Sequence, residues 1–261
     1  MSKHILWMHD LSARADACAS AVLRLAGPEG SVVFAHATGR MDPQGTLGKQ
    51  AHDHAARLRR DLSGHNLTLS PVVRAGKPEV VMRELVAERG IDLVICARTG
   101  VSGIDRVLLG SSAARLVRQA PCPILVVGER GLSELTRVVC TVDPREVAPR
   151  TIAAAAELAL SQNALLEVIA VVEVGFGDED LSAAAAATET ALLSHALRLP
   201  SEWMVRSVVG ETALHGILIA SARASVVVLG THGRTGLARL LEGSVAESVA
   251  EQASMSVLVV P

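Results

Sequence analysis

Apolar residues along this chain gather in short runs, separated by longer stretches in which small and charged residues alternate. SerValValValLeuGly at 225–230 and IleLeuValVal at 124–127 are almost wholly apolar. Runs of that kind suit strands covered on both faces in a parallel sheet, not strands with one wet face. The pattern predicts strands over 4–9, 31–37, 68–74, 91–97 and 123–128, then over 137–142, 165–172, 203–208, 225–230 and 256–260. Between them lie Ala-rich segments such as 151–161 and 181–198, with the apolar spacing of amphipathic helices. Strand–helix alternation implies right-handed crossovers and an α/β, doubly wound parallel sheet of five strands, Rossmann-like in organisation. Such a sheet binds ligands at the carboxyl ends of its strands, where the strand order switches.

The pattern occurs twice. Asp10 over Asp143 defines an offset of 133 residues. The same offset carries Ala97 to Gly230, Gly100 to Gly233, Gly103 to Gly236, Arg106 to Arg239, Gly110 to Gly243 and Ser111 to Ser244. It also lays Ile124 over Val257. An offset of about half the chain indicates a duplicated domain, not a short solenoid repeat. The expected domains are 1–131 and 132–261, related by a pseudo-two-fold axis, with the boundary in GlyGluArgGlyLeuSer at 128–133.

Composition narrows the function classes. Of 261 residues, 49% are apolar and 20% charged, a globular balance that excludes a disordered chain. The net charge of -2 carries no footprint for nucleic acid. Trp7, Phe34, Phe176 and Trp203 are the whole aromatic set, too few and too scattered for a base-stacking surface. Cys18, Cys96, Cys122 and Cys140 form no CxxC pair, so neither zinc nor a redox motif is suggested. No apolar run reaches the roughly 18 residues of a spanning helix, and MetSerLysHisIleLeuTrpMetHisAsp lacks the core of a signal peptide. The expectation is a cytoplasmic protein with no membrane partner.

Candidate chemistry centres on Gly230-Thr-His-Gly233, nine residues, then Gly243-Ser244. The first glycine ends a predicted strand and the last opens a helix. Glycines let backbone N–H groups approach a phosphate without an intervening Cβ. A helix N-terminus adds unpaired donors and partial positive charge. Ser244 can donate its hydroxyl to a phosphate oxygen, or it is only a helix N-cap.

The spacing G-x2-G-x9-G-[ST] resembles the nucleotide-binding subgroup of the universal stress protein family. The tail AlaGluGlnAlaSerMetSerValLeuValValPro, its first-half counterpart ArgGlnAlaProCysProIleLeuValVal, and the opening strands ending in Asp10 and Asp143 extend the likeness over nearly the whole chain, twice. The resemblance implies the family's adenine-nucleotide α-hydrolase-like fold and ATP as ligand, with Mg2+ as its companion ion. It places Asp143 and Val171 at ribose and adenine, and Gly230, Gly233, Gly243, Ser244 and the Val245 N–H at the phosphates. In the first half the matching positions are Asp10, Ala37, Ala97, Gly100, Gly110 and Ser111. The halves slip by one residue in strand two, which affects Ala37 and Val171. Ala97 stands where the motif has Gly. If that position needs a positive φ, Ala costs about 1 kcal/mol. If it only lines the ribose, a methyl fits. Site one either binds or is an emptied relic that supports the fold. The family resemblance also implies pairing through the last strand, here between the two halves, with a homodimer of whole chains left open.

Other residues carry weaker signals. Arg106 and Arg239 lie in the glycine loops and either neutralise phosphate or face solvent. His232 has no partner pattern. His52, Asp53 and His54 resemble a metal cluster, but helix neighbours face each other at three or four residues, so a solvated face is expected and no metal site. No catalytic residue stands out. Asp105 and Glu242 are the acids of the glycine loops and neither recurs in the other half, which favours binding over efficient hydrolysis. A slow ATP hydrolase and a ligand-free interaction module are the competing classes.

Overall fold

A computed structural model describes residues 3–27, 29–98, 109–143, 148–173, 178–196, 198–231 and 245–261. The chain divides into two compact units, Met1–Ser133 and Glu134–Pro261.

In unit 1, β1 (His4–Met8), β2 (Ser31–Ala37), β3 (Thr68–Arg74), β4 (Leu93–Ala97) and β5 (Ile124–Val127) form a parallel sheet in the order β3-β2-β1-β4-β5. Two short helices, α1 (Ala13–Asp16) and α2 (Ala19–Ala26), follow β1. They are followed by α3 (Thr46–Asp61), α4 (Pro78–Arg89) and α5 (Ser111–Gln119), each after its strand. The central strand is exposed at His4 and buried over IleLeuTrpMet, with Trp7 wholly enclosed. Trp7 meets Phe34 of β2 edge to face, ring centroids 6.1 Å apart. Strand order reverses between β1 and β4, which opens a crevice at their carboxyl ends.

Unit 2 repeats the scheme with β6 (Arg137–Val142), β7 (Leu165–Glu173), β8 (Trp203–Gly210), β9 (Val226–Gly230) and β10 (Ser256–Val260). The order is β8-β7-β6-β9-β10, again parallel. Its helices are α6 (Pro149–Gln162), α7 (Asp178–His195), α8 (Ala213–Ala220) and α9 (Val245–Gln252). The switch lies between β6 and β9. No helix among the described residues is long and apolar enough to cross a membrane.

The doubly wound parallel architecture expected from the apolar runs is the one observed. Element ends differ by a residue or two, as helix and strand termini do. Local chemistry explains several ends. Pro78 and Pro149 open α4 and α6, where a missing N–H is harmless. Gly90 and Asn163 close them in the left-handed conformation.

One buried charge interrupts the apolar pattern. Glu167 of β7 is completely buried, between Arg137 of β6 and Arg206 of β8. Arg137 donates to Glu167 Oε2 through Nε at 2.8 Å and also through Nη2, and Arg206 donates to Oε1. Both arginines keep partial access to water. One carboxylate thus ties three neighbouring strands, and its desolvation is offset only while both partners are present. Glu167→Ala is expected to destabilise the protein by about 3 kcal/mol, read as a lowered urea midpoint, because two half-buried guanidinium groups lose their counter-charge. An unchanged midpoint would show that the triad contributes nothing.

Candidate functional site

The candidate site of each unit lies at the carboxyl ends of the strands where the strand order switches. In unit 1, Met8 pairs with both Ala35 of β2 and Cys96 of β4. The chain then continues through His9, whose N–H still donates to Ala35 O at 2.9 Å, to Asp10. Asp10 is exposed, and its Oδ1 accepts from Ser12 N–H at 3.1 Å and Ser12 Oγ–H at 2.6 Å. In unit 2 the register is Val142 opposite Ala170, one residue longer than Met8 opposite Ala35. That shift is the one-residue slip seen between the sequences. It sets Asp10 level with Ala37 at the end of β2, and Asp143 level with Val171 in β7. Val171 does not end its strand: β7 runs on to Glu173. Its side chain packs toward Gly216 of α8, where an added Cβ would lie 2.6 Å from Val171 Cγ1.

The glycine position at the end of the fourth strand differs between the units for a steric reason. Neither Ala97 nor Gly230 has a positive φ. The strain considered for Ala97 is therefore absent. Gly230 is required by a close approach: a Cβ there would sit 2.7 Å from Thr151 Oγ1 on α6. The residue aligned with Thr151 in unit 1 is Cys18.

Gly110 caps α5 in an extended conformation with no side-chain capping bond. Its N–H donates to the Arg98 carbonyl at 2.8 Å, which brings the first turn of α5 back to the end of β4. Ser111, the first helical residue, is exposed, as is Val245 at the start of α9. The N-terminus of α5 thus stands at the carboxyl edge of its sheet, with the unpaired N–H groups that every helix start carries. Gly100, Gly233, Gly243 and Ser244 lie outside the described residues, as do Arg106, Arg239, His232, Asp105 and Glu242. Arg98, which follows Ala97, is a buried cation beside this edge. Burial lowers its pKa and the nearby Glu129 carboxylate opposes that fall.

A polar cluster that the sequence does not announce lies beside the end of β1 in unit 1. His9 from the end of β1, Asp16 from α1 and His54 from α3 converge, with ligand atoms within 4.8 Å of one another. His52 and Asp53 are exposed, so of the HisAspHis triplet only His54 joins it. His9 Nε2 lies 3.1 Å and His54 Nε2 2.6 Å from the same oxygen, Asp16 Oδ1. The other ring nitrogens settle the tautomers. Leu11 N–H donates to His9 Nδ1 at 3.0 Å, and Arg57 donates to His54 Nδ1 at 2.8 Å. Each neutral ring therefore carries its proton on Nε2 and donates it to Asp16. A metal needs a lone pair at those nitrogens and a proton on the far side of each ring. In this arrangement one carboxylate oxygen is clamped by two imidazoles, whereas an ion at the same place would take the two Nε2 lone pairs instead. Next to it, His36 Nδ1–H donates to the His9 carbonyl at 2.8 Å, and its buried Nε2 has no partner among the described residues.

Burial pulls the His9 pKa from 6.5 to about 4, aided by His54 and opposed by Asp16 and Asp10. Between those two values the unfolded chain binds a proton that the folded chain refuses. Stability from this group is therefore complete above pH 6.5 and falls as pH drops toward 4, by on the order of 3 kcal/mol. Replacing His9 with Gln is expected to flatten this part of the profile of unfolding free energy against pH. An unaltered slope in urea titrations from pH 7 to 4 would show that His9 titrates normally.

With this geometry in place, comparison with known proteins is informative. The family model described as the universal stress protein family matches residues 1–128 and again 134–261. A universal stress protein of Mycobacterium tuberculosis strain H37Rv is 29% identical over 228 residues, covering 81% of this chain and 76% of that protein. A Staphylococcus haemolyticus protein named for the same family is 35% identical over 60 residues, which span 23% of this chain and 36% of that protein. The crystal structure of a universal stress protein from Archaeoglobus fulgidus has a TM-score of 0.74 at 19% identity, covering 100% of this chain and 96% of that one. The last comparison establishes shared fold.

Proposed function

The chain belongs to the universal stress protein family, and from that premise we propose that it binds adenine nucleotides, ATP foremost, in the switch-point clefts of its units. One observation carries the reading. In unit 1 the same edge of the sheet bears an exposed carboxylate at Asp10 and the uncapped N-terminus of α5 at Gly110 and Ser111. A carboxylate suits the ribose hydroxyls, and helix N–H groups suit phosphate oxygens. Ala37, Ala97 and Gly100 complete the unit 1 set. In unit 2 the corresponding set is Asp143, Val171, Gly230, Gly233, Gly243, Ser244 and Val245, with the glycine pattern intact. Phosphate charge would be met by Mg2+ as well as by the helix termini.

On this reading the protein acts in the cytoplasm in stress response or signalling, with nucleotide occupancy biasing its conformation or its choice of partner. Unit 2 dominates affinity. Gly243→Val sets a branched side chain against the phosphates and should remove most of the heat of a calorimetric ATP titration. Gly110→Val should remove less. The reverse order would invert the assignment of sites. Phosphate release should stay near background, far below the roughly 10 s-1 typical of enzymes. Saturable ATPase activity lost on mutating Ser244 would instead make the protein a hydrolase.

The family resemblance also suggests that the last strands of the two units pair, as a dimer of single-domain relatives would. Exposed apolar strand edges invite such pairing. Residues 1–131 and 132–261, expressed separately, should self-associate or recombine on mixing. Two indifferent monomers in sedimentation would exclude pairing.

A further inference from the structure

The turn after β1 contains a residue in an unfavourable backbone conformation, and its anchor is the ring of a core histidine. Leu11 has φ 66, in the left-handed region that residues with a Cβ disfavour. Its N–H donates to His9 Nδ1 at 3.0 Å. The ring is held from the other side as well. Its Nε2–H donates to Asp16 Oδ1, which also receives His54 Nε2–H. Trp7, Phe34 and His54 pack around it, with ring centroids 5.0, 4.8 and 5.0 Å away. His9 therefore has little freedom to turn. Between His9 and Leu11 sits Asp10, whose carboxylate is tied to Ser12. Ser12 in turn caps α1, its Oγ accepting from Ala15 N–H at 3.1 Å.

The second unit supplies an internal control. At the positions aligned with His9 and Asp16 it carries Val142 and Pro149, and at that of His36 it carries Ala170. An apolar residue thus fills the same place in the fold, and packing alone does not call for an imidazole there. What the imidazole adds is an acceptor aimed at the turn and a donor aimed at Asp16.

We propose that His9 is a positioning residue of the unit 1 cleft: its imidazole holds the left-handed Leu11 turn that presents the Asp10 carboxylate to the ribose of an adenine nucleotide. This rests on the reading of unit 1 as a nucleotide site. His9 itself touches no ligand, and it acts only through the backbone of Leu11.

Two substitutions separate the two nitrogens. His9→Gln keeps a donor near the Nε2 position for Asp16 and removes the acceptor for Leu11. His9→Asn keeps an acceptor near Nδ1 and loses the bond to Asp16. Both are made in the full chain carrying Gly243→Val, so that calorimetric titration with ATP reports on unit 1. His9→Gln should weaken ATP binding about tenfold, the worth of one lost hydrogen bond at a strained turn. His9→Asn should stay within about threefold of the parent. Adding Leu11→Gly to His9→Gln should restore affinity, because glycine adopts φ near 66 without an anchor. A readout without ligand accompanies these: in 1H–15N spectra the Leu11 amide should shift upfield in His9→Gln and hold its place in His9→Asn. Equal losses in both variants, or no rescue by Leu11→Gly, would overturn the proposal, as would an unmoved Leu11 amide in His9→Gln. If the Gly243→Val parent binds no ATP, the nucleotide reading of unit 1 fails instead, while the amide shifts still judge the turn.

Discussion

Each unit depends on a parallel sheet whose central strands are apolar on both faces. Ile5, Leu6 and Trp7 of β1 and Val226, Val227 and Val228 of β9 are wholly buried. Such strands gain about 25 cal/mol for each Å2 of apolar surface removed from water, and only helices on both sides can remove it. Once the faces are committed to packing, polar chemistry is driven to the strand ends. The carboxyl edge, where β1 and β4 or β6 and β9 part, is where loops and helix N-termini come together. The location of the candidate clefts thus follows from burial before any ligand is considered.

Within that frame, two buried polar groups stand out for the completeness of their partnering. Glu167 sits in the middle of an apolar strand because Arg137 and Arg206 flank it on the neighbouring strands. His9 sits in an aromatic cluster because a backbone N–H and a carboxylate take its two nitrogens. The two arrangements belong to different units and have no counterpart in the other. Duplication preserved the sheet and its switch point, while the polar interior of each copy took its own form. The same asymmetry reaches the cleft, where Gly230 makes room for Thr151, while unit 1 carries Ala97 and Cys18 at the two aligned positions.

Much of this architecture was legible in the sequence. Runs of β-branched residues, Ala-rich amphipathic stretches and a repeat at 133 residues are local or periodic signals. Together they determine strand, helix, duplication and a parallel doubly wound sheet, because a strand buried on both faces has few other solutions. Aspartates at the ends of β1 and β6 and glycines at a fixed spacing mark the carboxyl edge for the same reason. Tertiary structure alone decided which of the scattered polar residues meet. His9, Asp16 and His54 are separated by 7 and 38 residues, and their convergence depends on how α1 and α3 lie over the sheet. The adjacent triplet 52–54 looked like the cluster in one dimension, yet only its last member turns inward. Likewise, a glycine at 230 reads in sequence as a place where the backbone approaches a phosphate without a Cβ, and only the packing shows that the missing Cβ also leaves room for Thr151. Period and composition are written along the chain, whereas hydrogen-bond partnership across it depends on the distances that folding creates.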